Sequence, residues 1–338
     1  MPSPTIPSSF LRGPAPPTVS TSRIDFAFTP VPEYANCYAT VIDDALTPSE
    51  CATLLRLAAA ASTSTSTSTS ASSTTTAEAA AAGGGGIWER AMINTGGGRQ
   101  AMAVDTRNCG RIIYDSEELA GRLWARVAPL VPELAVLEGE RWAVPPNARM
   151  LDGGEEDGDV GYGSALHGRQ VQRGERWRCA GLNERLRFLR YVGGEYFKPH
   201  CDGAYERGRG KEGEASRPVE RSFFTLHLYL NDGEEVTGHA ERERRSPFIG
   251  CVEGEPEAPL KGGATTFHST ENWFSLSFGD PDPKIIQKRV DVVPRVGRIL
   301  LFQHRNMVHS GDDVLDGVKY TMRTDVMFTK EVKEDQEE

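Results

Sequence analysis

The chain has 338 residues, of which 38% are hydrophobic and 25% charged, and it carries a formal net charge of −10. That size admits one large folded domain or two small ones, with room for unfolded stretches. The acidic balance argues against a general nucleic-acid binder, and no apolar run approaches the ~20 residues that a membrane-crossing helix needs.

In chain order, residues 1–33 read as a disordered N-terminal segment, with Pro, Ser and Thr concentrated in "MPSPTIPSSFLRGPAPPTVS". This stretch lacks the apolar centre of a secretory signal. The six cysteines form no Cys-x-x-Cys pair, so neither a zinc nor a redox pattern emerges. The expectation is a cytoplasmic or nuclear protein with reduced thiols.

A short strand is expected near Tyr38–Ile42, and Thr47-Pro48-Ser49-Glu50 reads as a helix start with a capping box. Residues 58–86 follow as a low-complexity insertion of Ala, Ser, Thr and Gly, with no apolar face to bury. "IWERAMINTGG" resumes the fold. A second helix is capped by Asp115 or Ser116, with Leu119, Leu123, Val127 and Leu130 on one side. Residues 150–175 are Gly-rich and charged, hence loop. The basic run "RQVQRGERWRCAGLNERLRFLR" reads as a solvated face, with an entrance for an anionic substrate as the other reading.

From Leu186 onward the texture changes. "LRFLRYVGG", "RSFFTLHLYLND", "GGATTFHS", "KRVDVVPRVGRILLFQH" and "KYTMRTDVMFTK" are short β-type runs punctuated by Gly, Asp, Asn and Pro. No helical pattern intervenes, which points to an antiparallel sandwich or barrel. The fold class is α+β, mainly β, with supporting N-terminal helices. Residues 34–330 are expected to form a single domain, and 331–338 an acidic tail.

The chemistry starts at "FKPHCDGAYE". On a strand the side chains alternate, so His200 and Asp202 share a face and can converge on one ion. A third ligand must come from far along the chain, and two histidines with one carboxylate are the pattern of non-haem Fe(II) oxygenases. His167 and His239 lie in polar loops, His227 reads as a packed or face-alternating residue rather than a ligand, and His268 is ambiguous. His304 and His309 are the serious candidates. Lys319 favours His309: "SGDD" and Asp316-Gly317 are turn chemistry that brings the chain back, so both side chains can face one pocket. A buried lysine wants an anion, and a dicarboxylate held by the metal at one end and Lys319 at the other fits.

In combination these stretches resemble the catalytic domain of the prolyl 4-hydroxylase branch of the Fe(II)/2-oxoglutarate dioxygenases. The likeness lies in "LRYVGGEYFKPHCD", "GGATTF", "VVPRVGRILLF" and "HSGDDVLDGVKY", and covers residues 186–328. It implies a double-stranded β-helix, or jelly roll, as the core. It also implies that His200, Asp202 and His309 hold Fe(II) and that Lys319 pairs with the C5 carboxylate of 2-oxoglutarate. Tyr191 is implied to hydrogen-bond that co-substrate and Thr266 to line the pocket, with Arg323 the alternative carboxylate binder. O2 as co-substrate and ascorbate as reductant complete the set. The reaction is then hydroxylation of a C–H bond with release of succinate and CO2. The intact carboxylate of His-x-Asp favours hydroxylation over halogenation, which needs a small residue there. The insertions at 233–262 and 269–287 depart from the pattern where substrate loops are expected, so prolyl specificity does not carry over. The substrate is a protein or peptide, or else a small molecule such as an amino acid or natural product. A non-catalytic binding or sensing module and a cupin-type metal enzyme are the competing readings. No membrane or nucleic-acid partner is expected, and the sequence is silent on oligomeric state.

Overall fold

The computed structural model describes residues 4–66, 86–96, 99–139, 142, 171–172, 174–208, 218–233, 260–270, 288–304 and 307–331. It is mainly β, with two α-helices among the described residues. The first helix, Pro48–Ser66, begins as its residues dictate. Thr47 Oγ1 accepts from the Glu50 amide at 3.3 Å, and Glu50 Oε2 accepts from the Thr47 amide at 2.9 Å, closing the box with Pro48 in the first turn. It runs further than expected, because Ala58–Ala61 are good helix formers. The Ile87 amide donates to Ser62 Oγ at 2.9 Å and ties the returning chain to the helix; residues 67–85 of the insertion lie outside the described residues.

The second helix, Glu117–Val127, is capped by Ser116, whose hydroxyl accepts from the Leu119 amide. Leu119, Leu123 and Val127 are buried as the spacing implies. Leu130 is not on this helix: Pro129 cannot supply an N–H, and a single 3-10 turn, Ala128–Leu130, follows. Arg126 joins the two helices by an ion pair to Glu50 at 2.8 Å.

Two larger antiparallel sheets, with two further two-stranded pairs among the described residues, carry the rest. The major sheet runs Ser20–Arg23, Ala39–Asp43, Ile299–Gln303, Glu220–Tyr229, Val318–Lys330, Arg185–Val192, Gly110–Asp115, Glu89–Arg90. Its Val318–Lys330 strand also pairs with Arg176–Leu182. The minor sheet runs Arg289–Val292, Thr265–His268, His309–Gly311, Tyr196–His200, Arg107–Asn108. One face of the major sheet presents Leu186, Phe188, Leu226, Leu301, Met322 and Phe328 to the helices, and Leu54, Leu119 and Leu123 join them in one apolar cluster. The other face looks onto a cavity that residues of both sheets line.

Two sequence expectations are corrected. The N-terminal segment is not disordered: Phe10 and Leu11 are buried, and Arg122 donates to the carbonyls of Pro7 and Phe10 at 2.9 and 2.7 Å. Ser20–Arg23 pairs with Ala39–Asp43, and Phe26 packs edge-on against Tyr34 and Phe267. Composition averaged over this segment hid a few anchors that find partners elsewhere in the chain. The path from His309 to Lys319 is also not a hairpin. After His309–Gly311 in the minor sheet, Val314–Asp316 pairs with Lys261–Gly262, and the chain then enters the major sheet at Val318.

Glu331 at the edge of the acidic tail bridges Arg176 and Arg178, while 332–338 lie outside the described residues. So do most of the Gly-rich 150–175 segment, with His167, and the interiors of the 233–262 and 269–287 insertions, with His239. No helix among the described residues is long and apolar enough to cross a membrane.

Candidate metal centre

His200 ends the strand Tyr196–His200, and His309 begins His309–Gly311; the two are cross-strand partners in the minor sheet. Pairing sets their rings side by side, with centroids 4.3 Å apart. Asp202 lies two residues past His200, just beyond the strand. Its carboxylate approaches His200 Nε2 at 3.8 Å and His309 Nε2 at 3.7 Å. One donor atom from each of the three residues lies within 4.8 Å of the others, so a single ion can touch all three.

The ring tautomers suit that role. His200 Nδ1 donates to the Lys198 carbonyl at 2.8 Å and His309 Nδ1 to that of Met307 at 2.9 Å. A carbonyl only accepts, so Nδ1 carries the proton and each Nε2 offers a lone pair. Phe197 stacks on the His200 ring at 3.5 Å between centroids, and Phe302 meets His309 edge-on at 4.8 Å. Burial lowers the proton affinity of both rings, which keeps them neutral and fit to ligate.

Asp202 is held from behind. Burial alone would raise its pKa, but the Arg323 guanidinium leads the opposing influences, which hold it well below the usual carboxylate range. Arg323 Nη2 lies 2.8 Å from Asp202 Oδ1, and Thr225 Oγ1 donates to Asp202 Oδ2 at 2.6 Å. Thr225 has one proton, which goes to the carboxylate. His304 Nε2 therefore donates to Thr225 Oγ1 at 2.8 Å. His304 is thus spent on the support of Asp202 and is absent from the ligand group.

Lys319 lies opposite Tyr191 in register on the major sheet and is 1% exposed. Its ammonium sits 5.2 Å from the Tyr191 ring centroid and 5.9 Å from that of Tyr229. Among the described residues it has no ion pair or hydrogen bond. Burial pulls its pKa from 10.5 down to about 8. Tyr191 lines the same cavity, and burial pushes its phenol up.

Two implied residues are placed differently. Thr266 does not line the cavity: its hydroxyl lies 2.9 and 2.7 Å from carboxylate oxygens of Asp291 and Asp312 on the outer side of the minor sheet, and its one proton goes to one of them at a time. Strand alternation puts Thr265 on the cavity side, where its hydroxyl accepts from Tyr229 at 2.7 Å. Arg323 faces the cavity as parity implied, but its charge is committed to Asp202 and lies 3.5 Å from Asp325. His268 is bonded to Ser310 Oγ at 2.7 Å. His227 alternates onto the cavity face but is outside the ligand group, with a buried Nε2 that has no partner among the described residues.

Sequence reasoning missed Thr225 and Arg107. Thr225 was legible in principle, since it shares a face with His227 and Tyr229 on one strand; Arg107 comes from a two-residue strand with no pattern of its own.

No family model and no curated protein sequence matches the chain. Solved structures similar to it include prolyl hydroxylases and a protein with nickel and 2-oxoglutarate bound. A Trichoplax adhaerens prolyl hydroxylase in complex with a hypoxia-inducible-factor peptide fragment is 14% identical, with a TM-score of 0.38 over 85% of this chain and 82% of that one. The viral collagen prolyl hydroxylase of Paramecium bursaria Chlorella virus-1 is 14% identical, with a TM-score of 0.30 over 66% and 80%. HygX from Streptomyces hygroscopicus with nickel and 2-oxoglutarate bound is 10% identical, with a TM-score of 0.33 over 88% and 84%.

Proposed function

We propose that the protein is an Fe(II)- and 2-oxoglutarate-dependent dioxygenase on a double-stranded β-helix, hydroxylating a C–H bond with release of succinate and CO2. One observation carries this reading: two histidines and a carboxylate converge in the same cavity as a buried lysine that lacks an anion. A buried ammonium without a counter-charge is costly. It makes physical sense as the receptor for one end of a dicarboxylate whose other end reaches the metal.

The donor set fits iron: two neutral imidazoles and one carboxylate on one side, with the remaining positions open to the cavity. His200, Asp202 and His309 would hold it, and Lys319 would pair with the distal carboxylate of 2-oxoglutarate beside the Tyr191 phenol. When bound, iron and 2-oxoglutarate together supply the oxidising power that O2 chemistry at a C–H bond requires. The chain's own part is geometric. The carbonyls of Lys198 and Met307 fix the imidazole tautomers, and Phe197 and Phe302 fix the ring planes. Arg323 and Thr225 orient both oxygens of Asp202 and keep it ionised.

The test is to mix the protein anaerobically with Fe(II) and 2-oxoglutarate, record the visible charge-transfer band of the chelate, then admit O2 and assay succinate. The reading requires a band that depends on both components and succinate formed from 2-oxoglutarate. Tight iron binding without a band would leave a metal-binding module in its place.

A further inference from the structure

The cationic groups of the cavity divide into those with partners and those without. Arg323 is matched by Asp202, and Arg187 by Asp325 at 3.2 Å. Lys319 is accounted for by the co-substrate. Two arginines remain. Arg107 lines the cavity from the edge of the minor sheet and is 7% exposed. Its guanidinium lies 4.6 Å from the Phe197 ring centroid, its Nε is buried without a partner among the described residues, and its other contacts are a long 3.5 Å hydrogen bond to the Met92 carbonyl and the neighbouring Tyr191 phenol. Arg111 is 5% exposed, and among the described residues it has neither hydrogen bond nor ion pair.

Arg111 does not itself line the cavity, but it stands on the same face of the major sheet. It lies directly opposite Leu189 in the major sheet, and directly opposed residues share a face; Leu189 lines the cavity. The chain crosses from the minor to the major sheet between Arg107 and Arg111, so the two cations bracket that crossing, and the charge of Arg107 acts on Arg111. Burial first, then the charges of Arg107 and Arg187, press on the Arg111 guanidinium, and Glu89 is the acid that counters them. Glu89 is opposite Arg111 in register but is exposed and makes no ion pair with it.

Two buried guanidiniums this poorly matched are expensive to keep, and a fork of donors fits carboxylate and phosphate oxygens. We propose that Arg107 and Arg111 form an anion subsite at the cavity edge, and that the molecule hydroxylated carries a carboxylate or phosphate group seated there. The inference rests on the dioxygenase reading for what becomes of the bound molecule, but the subsite can be tested without it. A neutral prolyl peptide would leave both arginines unanswered. An anionic small molecule, or a peptide with an acidic residue near the reacting carbon, satisfies them.

The experiment titrates sulfate, as a tetrahedral anion, and acetate, as a carboxylate, into the full-length protein by calorimetry. It is done metal-free and again with Fe(II) and 2-oxoglutarate bound under anaerobic conditions. Saturable binding of at least one anion is expected in both states and in Lys319→Met. Loss of one charged donor pair weakens it about tenfold or more in Arg107→Gln and in Arg111→Gln. Arg107→Lys, which keeps the charge but not the fork of donors, binds more tightly than Arg107→Gln and more weakly than the wild type, and this ranking guards against a folding defect as the cause. The relative strength of sulfate and acetate distinguishes phosphate from carboxylate as the seated group. The proposal is overturned if the wild type binds neither anion. It is equally overturned if 2-oxoglutarate displaces the anion or Lys319→Met abolishes its binding, since the site would then be the co-substrate's. Absence of the charge-transfer band together with arginine-dependent anion binding would instead overturn the dioxygenase reading and leave the subsite standing.

Discussion

The two faces of the major sheet are made by alternate residues of the same strands, and they obey opposite rules. Toward the helices, Leu186, Phe188, Leu226, Leu228 and Met322 are apolar and fully packed. Toward the cavity, Tyr191, Thr225 and Lys319 are polar or charged and buried all the same, and His227 and Arg323 are half-buried. One face lowers the free energy of the fold; the other raises it, with desolvated charges that only ligands and designed partners offset. A one-residue slip in register would exchange the two, so the packing of the apolar face is what holds the functional face in place.

The largest expected effects separate the faces by readout. Removing a ligand, in His309→Ala or Asp202→Ala, should lower Fe(II) affinity at least ~100-fold, while removing a support, in Thr225→Val, should lower it about tenfold. Equilibrium dialysis with iron analysis measures both, and equal losses would mean that Thr225 does more than orient Asp202. On the opposite face, Phe188→Ala empties a site that is 0% exposed and should cost about 3–5 kcal/mol of stability. Denaturant unfolding reads this, and iron stoichiometry per folded molecule should not change.

Lys319 sharpens the contrast through pH. Its folded pKa, about 8, lies below the unfolded 10.5. Below pH 8 both states keep the proton and the folded state bears the full cost of a buried charge. Between pH 8 and 10.5 the unfolded chain binds more protons, so stability rises with pH. Without 2-oxoglutarate, Lys319→Met should therefore be more stable than the wild type at pH 7, by on the order of 3 kcal/mol, and the gain should vanish by pH 10.5. The same substitution should raise half-saturating 2-oxoglutarate about 100-fold, since a charge-assisted pair is lost. A variant less stable than wild type at pH 7 would mean the ammonium has a partner in the folded protein.

The smallest expected difference is between neighbours. Thr266→Val removes the hydroxyl donor shared by Asp291 and Asp312 on the outer side of the minor sheet and should cost about 1–3 kcal/mol with no change in co-substrate affinity. Thr265→Val should shift co-substrate affinity modestly, within about threefold, since it alters cavity lining without removing a charge.

That pair also marks where the sequence stopped being legible. Strand positions after Leu186 were readable because each run alternates and is bounded by turn residues, and His200, Asp202 and His309 could be picked out because their spacing has a chemical meaning. Thr266 was chosen over Thr265 because family likeness does not resolve a one-residue offset, and in a strand that offset reverses the face. Arg323 was placed on the correct face, but parity cannot say whether a cation meets a ligand or a neighbouring carboxylate; that depends on where Asp202 lies, a contact across more than a hundred residues. His304 looked equal to His309 for the same reason, since its bond to Thr225 is invisible until the strands pair. Phe10, Leu11 and Phe26 were lost in a Pro- and Ser-rich average although each has a specific partner.

The central claim is that His309, and not His304, completes a metal site with His200 and Asp202. The most direct measurement is anaerobic Fe(II) titration with 2-oxoglutarate present, following the visible charge-transfer band in wild type, His309→Ala and His304→Ala. The account expects the band in wild type, its loss in His309→Ala, and its persistence in His304→Ala at a higher iron concentration. A band that survives in His309→Ala and disappears in His304→Ala would contradict it.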